Sequence, residues 1–288
     1  MNILLGENTA TFIGLHRHRE RLRGGKRALG KYRQERMAPM SEHPRPPLVE
    51  LHEITKSFGS VQALRGVSLD VFSGEITAIV GDNGSGKSTL INILSGYIQP
   101  DSGTITIEGR LCPRLTPKKA MKAGISTVYQ DLSLDEYRDV AANVFLGQEL
   151  TRFGFLARST MRKKAAELIA ALDIGIPDIT LPVGAFSGGQ RQAVAVARAV
   201  HRGEKLVIFD EPTAAMGVRE STAVLGQVKR MAERGFAIVI ICHNLHQVFS
   251  ISDKICIMRH GRILRRVNTR DVTLETVQQL IIDADAVD

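Results

Sequence analysis

The sequence predicts an α/β fold built on a parallel-rich central sheet, and three observations carry that reading. From Leu48 onward, short β-branched runs alternate with segments of helical apolar spacing, the pattern of strands joined by crossover helices. One glycine-rich stretch, Gly81-Asp82-Asn83-Gly84-Ser85-Gly86-Lys87-Ser88-Thr89, falls between such a strand, Ile76 to Val80, and such a helix, Thr89 to Leu94. The run Leu206-Val207-Ile208-Phe209 is too continuously apolar for a half-exposed strand, and it fits a sheet covered on both faces.

Taken in order, residues 1–47 read as a basic extension. Residues 1–46 hold 10 Lys+Arg against 4 Glu and include the run His16-Arg17-His18-Arg19-Glu20-Arg21-Leu22-Arg23. They lack a sustained apolar face and run into Pro44-Arg45-Pro46-Pro47, a linker composition for which disorder is expected. A short apolar stretch precedes the charge, the reverse of a secretory signal. Three readings stay open: a solvated tail, with Met37 or Met40 as alternative starts; an electrostatic arm for anionic lipid or a partner; and nucleic-acid binding. Only Phe12 and Tyr32 interleave the charges as aromatics, which weakens the last. The rest of the chain holds 28 Lys+Arg against 26 Asp+Glu, so the net charge of +8 belongs mostly to the extension.

Val49, Leu51 and Ile54 alternate as a strand, and Val67 to Phe72 reads as a second, with a turn at Ser73-Gly74. Beyond the glycine-rich loop and its helix, Pro100-Asp101-Ser102-Gly103 turns into a strand from Thr104 to Glu108, broken by Gly109. Thr116 is a candidate cap for a helix over Pro117 to Ala123, and Gly124 introduces the strand Ile125 to Tyr129, with Gln130 at its end. Residues 139–173 carry no β-branched runs, while Ala141-Ala142 and Met161 to Leu172 read as helical, so a helical subdomain is expected over about residues 135–190. A Pro- and Gly-punctuated stretch, Ile174 to Gly184, precedes a helix from about Gly189 to Val200. The strand Leu206 to Phe209, a helix through Met231, the strand Ala237 to Cys242 and the strand Lys254 to Met258 follow. A turn at His260-Gly261 and a helix from about Leu274 to Ile282 close the domain at residue 284, leaving 285–288 as a tail.

The length and 43% hydrophobic content suffice for a sizeable core. The longest uninterrupted apolar run is Phe236 to Cys242, far short of the roughly 18 to 20 residues a membrane-spanning helix needs, so a membrane connection is expected to run through a partner. Cys112, Cys242 and Cys256 show no metal-type spacing, and the latter two sit in apolar strand-like runs, which suits a reducing compartment.

The chemistry starts at the glycine-rich loop. Glycines 81, 84 and 86 let backbone N–H groups approach phosphate closely, and the helix that begins there adds its positive dipole end. Lys87 would reach the β- and γ-phosphates and Ser88 would ligate Mg²⁺. The plain alternative is a glycine-rich turn before an ordinary helix. Asp210 and Glu211 end a buried strand, and Pro212 stops it; in a parallel sheet strand carboxyl ends face the ligand crevice, so Asp210 can hold Mg²⁺ through water while Glu211 polarises the attacking water. Solvated acids at a strand end are the alternative. Ser187-Gly188-Gly189-Gln190 opens a helix with a natural N-cap and exposed amides, either a second anion site completing the nucleotide of another molecule or simply a capped helix. His243, at the end of another strand, can donate to the γ-phosphate.

With those residues in view, residues 48–284 resemble the nucleotide-binding subunit of an ATP-binding cassette transporter. The resemblance rests on GDNGSGKST as the Walker A loop, Gln130 as the Q-loop glutamine, FSGGQRQ at 186–192 as the signature, LVIFDEPT at 206–213 as Walker B and His243 as the switch histidine. It implies a P-loop NTPase fold of the cassette type, with an antiparallel β subdomain beside the parallel-rich sheet and the inserted helical subdomain. It further implies Gln130 as a metal and water contact and Phe58 as the aromatic that stacks on adenine, where core packing is the plain reading. The implied protein is an ATPase that takes ATP and Mg²⁺ and dimerises head to tail with an identical or different cassette, each ATP lying between one Walker A face and the other's signature. DEPTAAMGVRE, SGGQRQAVAVARAV and CHNLHQVF look like the bacterial simple-sugar importers of the ribose, fructose and xylose group. That likeness implies an integral-membrane permease, a periplasmic sugar-binding protein as an indirect partner, no nucleic acid, and a peripheral position on the cytoplasmic face of the inner membrane. Two residues depart from the family pattern: Phe186 replaces leucine, and Gly217 stands where a D-loop aspartate is usual.

An exporter subunit and a non-transport cassette protein of DNA repair or translation are the competing readings. The short segment between Gln130 and Ser187, without heptads or paired cysteines, argues against the second. Deleting residues 1–36 is expected to leave ATPase activity intact; an unfolded product in circular dichroism would show instead that the extension is structural.

Overall fold

The computed structural model describes residues 46–172, 175–214 and 216–283. The expectations for residues 1–45 lie outside the described residues.

Two sheets set the frame. β1 (Val49–Phe58), β2 (Val61–Val71), β4 (Ser102–Ile107) and β5 (Arg110–Leu111) form an antiparallel sheet in the order β2-β1-β4-β5. The second sheet has the order β12-β11-β3-β10-β9-β6, from β3 (Ile76–Val80), β6 (Ile125–Val128), β9 (Leu206–Asp210), β10 (Ala237–Ile241), β11 (Lys254–Arg259) and β12 (Arg262–Asn268). Its five strands from β11 to β6 run parallel, and only β12 is antiparallel. The helices are α1 (Lys87–Leu94), α2 (Pro117–Lys122), α3 (Val140–Val144), α4 (Arg158–Ala171), α5 (Gly188–His201), α6 (Val218–Glu233), α7 (Leu245–Ile251) and α8 (Leu274–Asp283).

The continuously apolar strands are explained by two hydrophobic clusters, one on each face of the parallel sheet. Val207 and Phe209 of β9, with Ile238 and Ile240 of β10, join the cluster that includes α5 and the helical segment. Leu206 and Ile208, with Val239 and Ile241, join the cluster shared with α1 and the antiparallel sheet. Alternate side chains therefore leave one strand in opposite directions into two dry layers, and neither face needs polar residues. Phe186 lies in the first cluster, only 6% exposed, so its larger ring is absorbed in the core ahead of Ser187.

Local chemistry places several element ends. Thr116 caps α2 by accepting from the Lys119 N–H, with Pro117 at the first helical position. Asp139 caps α3 the same way through the Ala142 N–H. In β1 the apolar positions 49 and 51 are followed by 54 rather than 53, because Glu53 takes a left-handed φ of 50° and shifts the register there. One bulged residue returns Ile54 to the core face.

The structure holds elements that the sequence does not lead one to expect, β5 and α7 among them. The segment between α3 and α4 is not wholly helical: β7 (Thr151–Arg152) and β8 (Phe155–Leu156) pair as a small hairpin whose turn, Phe153-Gly154, has positive φ at both residues. Strands of two residues leave no periodicity to read. β12 was not anticipated either, since arginines occupy positions 262, 265 and 266 of an edge strand that only half-buries its apolar residues. Arg266 ties it to β2 through the Ser68 carbonyl and lies 3.8 Å from the Asp70 carboxylate.

A buried carboxyl sits in the turn between α5 and β9. Glu204 is 6% exposed, its Oε2 has no hydrogen-bond partner, and burial raises its pKa to about 7. The folded state then keeps the proton longer than the unfolded chain, so stability present at low pH is lost as the pH rises from about 4.5 towards 7. Glu204→Gln is expected to match the parent at pH 4 and to be more stable at pH 8, by at most about 3 kcal/mol. Urea titrations at both pH values check this; an equal difference at both would overturn it.

Candidate active site

The glycine-rich loop follows β3 directly and delivers the chain into α1. Gly81, Gly84 and Gly86 all have positive φ, and a Cβ at Gly86 would lie 2.6 Å from the Ala63 carbonyl oxygen, so glycine is required there. Gly86 is the N-cap of α1 and offers no side-chain cap, and the first turn holds no acid. The free amide ends of α1 are therefore left to an anion, in contrast to the side-chain-capped starts of α2, α3 and α5.

Lys87 is the first residue of α1, and its Nζ donates to the carbonyls of Gly81 and Asp82, each at 2.7 Å, and to Ser85 Oγ at 3.4 Å. Burial lowers its pKa, while Glu211, Asp82 and Asp210 pull it upward. An open cleft of about 440 Å³ brings Asn83, Gly84, Gly86, Lys87, Ser88 and Thr89 together with Glu211 and His243. Val61, Gln62, Arg65 and His260 also contribute to its wall. Reading the sequence finds His260 only as a turn residue; its place in the cleft depends on the β11–β12 turn lying over the loop, where Gly261 N–H donates to the Ser85 carbonyl.

β9 and β10 are parallel neighbours with Asp210 in register with Ile241, so the residues after them emerge side by side. His243 Nε2 stands 2.7 Å from Glu211 Oε1. Glu211 holds a left-handed φ of 51°, uncommon for a residue with a side chain, and its N–H donates to the Ile241 carbonyl at 3.0 Å. Burial, then the adjacent Glu211 charge, raises the pKa of Asp210, against the pull of Lys87 and His243. A carboxylate, an imidazole and a lysine thus converge on one cleft at the glycine-rich loop.

Gln130, one residue beyond Tyr129 after β6, lines a second cleft of about 370 Å³ together with Gly188 and Glu211. Glu211 borders both clefts. Ser187 accepts from the Gln190 N–H while Gln190 Oε1 accepts from the Ser187 N–H, a reciprocal capping box at the start of α5. Ser187, Gly188, Gly189 and Gln190 do not line the cradle's own cleft. Phe58 ends β1, is 48% exposed rather than packed in the core, and has Lys56 Nζ at 5.6 Å from its ring. Gly217 is the N-cap of α6, without a side-chain cap.

The family model for ABC transporters matches residues 64–214. The chain is 41% identical to the xylose/arabinose import ATP-binding protein XylG of Sulfolobus acidocaldarius over 81% of this chain and 93% of that one. It is 42% identical to the fructose import ATP-binding protein FrcA of Rhizobium meliloti, covering 79% and 91%. The ribose import ATP-binding protein RbsA of Yersinia pestis matches at 43% identity over 75% of this chain and 42% of its own length. Among solved structures, a nucleotide-free ATP-binding cassette of an ABC transporter superposes with a TM-score of 0.71 at 26% identity, over 84% of this chain and 98% of that one. A dimeric cassette in a post-hydrolysis state with ADP and Pi gives 0.66 at 26% identity, over 77% and 99%.

Proposed function

The chain belongs to the ABC transporter family, and on that footing we propose that it is the ATP-hydrolysing subunit of an importer that moves a sugar or similar small solute through a separate membrane permease. The observation that carries the reading is the convergence of the cradle, Glu211 and His243 on one cleft. The names of the most similar relatives, all import ATP-binding proteins for xylose/arabinose, fructose or ribose, favour import over export.

In this reading residues 48–284 are the ATPase domain, 1–47 an extension to it and 285–288 a tail. Residues 81–89 hold the triphosphate of ATP, with Lys87 on the outer phosphates and Phe58 against the base. Ser88, Asp210 and Gln130 offer only oxygen donors, the set that Mg²⁺ takes jointly with nucleotide phosphates; the ion would neutralise developing charge on the transferred phosphoryl group. Glu211 orients and deprotonates water, and His243, held against Glu211, turns towards the outer phosphate. Ser187 to Gln190, lying away from the chain's own cradle cleft, serve a second cassette, identical or different, in a head-to-tail dimer. Gly217 removes one carboxylate from that interface.

No described helix is long and apolar enough to cross a membrane, which suits a peripheral subunit at the cytoplasmic face of the inner membrane. The permease is its direct partner and a periplasmic sugar-binding protein an indirect one; no nucleic-acid partner is part of this reading. Co-purification of the full chain with a multi-span permease, and stimulation of its ATPase activity by one member of a sugar panel in the reconstituted complex, is the expected result. Recovery with nucleic acid instead would overturn the transport assignment.

A further inference from the structure

The close approach of Glu211 to His243 joins two loops that leave neighbouring parallel strands. Glu211 sits in a left-handed conformation at the end of β9, and His243 is half-exposed after β10. Pro212 and the Ala214 N–H, which donates to the Glu211 carbonyl at 3.1 Å, shape the first loop, and the Glu211 N–H, donating to the Ile241 carbonyl at 3.0 Å, holds its backbone to the end of β10. A second tie, made by side chains, lies just beneath the pair.

Thr213, buried two residues after Glu211, donates its hydroxyl to Gln247 Oε1 at 2.7 Å. Cys242, buried one residue before His243, donates its thiol to the same oxygen at 3.5 Å. The two donors are themselves 3.9 Å apart. Gln247 is in turn fixed by the first turn of α7, where its N–H donates to Asn244 Oδ1 at 3.2 Å. One amide oxygen therefore accepts from both loops, on a helix start whose position is set by its own cap.

We propose that Gln247 is a positioning residue for ATP hydrolysis, latching the Glu211 loop to the His243 loop through Thr213 and Cys242 so that the two site residues meet in working geometry. The inference rests on the roles assigned above to Glu211 and His243. Gln247 touches neither cradle nor cleft, so its loss acts on turnover and spares nucleotide binding. Thr213 and Cys242 are buried, and the Cys242 thiol also has the Asn244 carbonyl within 3.8 Å; without Gln247 the Thr213 hydroxyl loses its acceptor on α7, and the two loops lose their side-chain link through that helix.

Steady-state ATPase kinetics of the full chain test this. Gln247→Leu is expected to lower kcat roughly tenfold with KM for ATP within about twofold of the parent, the split of an interaction made on the way to reaction. Gln247→Glu, which keeps an acceptor oxygen, is expected to retain at least about half of the parental kcat. Thr213→Val, close in volume, should reproduce the loss, and the Gln247→Leu/Thr213→Val double variant should be no worse than the poorer single one, since both break one contact. Should Gln247→Leu fail to fold by thermal melting, Thr213→Val and Gln247→Glu carry the test. Parental kcat in Gln247→Leu or Thr213→Val, full loss in Gln247→Glu, or losses that multiply in the double variant would overturn the latch. A parallel Glu211→Gln assay separates the failures: full turnover there defeats the catalytic reading itself, whereas an inactive Glu211→Gln beside a fully active Gln247→Leu defeats the latch alone.

Discussion

Glu211→Gln is expected to bind ATP as tightly as the parent, to lose turnover by about 10²-fold or more, and to accumulate an ATP-bound dimer. The amide keeps the carboxylate's shape and still presents an oxygen to His243 Nε2, 2.7 Å away in the parent, so the loop has no reason to move. What it loses is the capacity to take a proton from water. Binding survives because Lys87 and the amide ends of α1 stand on a different strand–helix junction, β3 to α1, from the one that carries Glu211. In the proposed head-to-tail dimer, contacts that close over ATP are released by hydrolysis, which the variant cannot complete, so the dimer is expected to persist. ATPase rate, ATP affinity and size-exclusion elution with and without ATP measure the three effects. Undiminished hydrolysis would refute the role of Glu211, and so would a rate loss matched by an equal loss of ATP affinity.

The strand bearing Glu211 was among the most legible parts of the chain, and its surroundings among the least. Leu206 to Phe209 could be read because both faces of β9 are dry, so every position is apolar and the chain announces the sheet's centre. The cradle was legible because close approach to phosphate requires glycine at fixed spacing, and spacing is what a sequence records. By contrast, β12 is an edge strand whose Arg266 meets Ser68 and Asp70, nearly two hundred residues earlier. No local pattern encodes that contact. The β7–β8 hairpin is too short for alternation, and Glu53 shifts the register of β1 by a backbone rotation that its side chain does not advertise.

The same limit falls on the site. Ser187 reads equally as a cap and as an anion contact, and the reciprocal bonds with Gln190 establish the first without addressing the second. Phe58 reads as core or as a base platform, and at 48% exposure it is not core. Thr213 and Gln247 read as ordinary polar residues, one after a strand and one inside a helix; only their convergence across 34 positions gives them a role. Residues whose chemistry is set by their own backbone are visible in the sequence, and those whose chemistry is set by a partner become visible in the fold.

Lys87 combines both kinds, which gives its replacement the second large effect. Its buried ammonium is held below its ordinary pKa by desolvation and kept charged by Glu211, Asp82 and Asp210. Its two 2.7 Å bonds go to loop carbonyls that a phosphate oxygen can replace without repositioning the helix. Each hydrogen bond to a charged group contributes about 1.5–3 kcal/mol, so Lys87→Ala is expected to weaken ATP binding by about 10- to 100-fold. Lys87→Met separates charge from packing: it restores the apolar stem beneath the loop, so it should recover thermal stability but not affinity. Removing the ammonium also withdraws one of the two positive influences on Asp210, so its carboxyl, already raised by burial and by Glu211, rises further. In the proposed reading, where Asp210 holds Mg²⁺ as its carboxylate, ATP affinity in Mg²⁺ is expected to fall more steeply with acidification in Lys87→Met than in the parent. Isothermal titration of ATP into both variants at two pH values measures the loss and its slope, and unchanged affinity in either variant would count against the cradle.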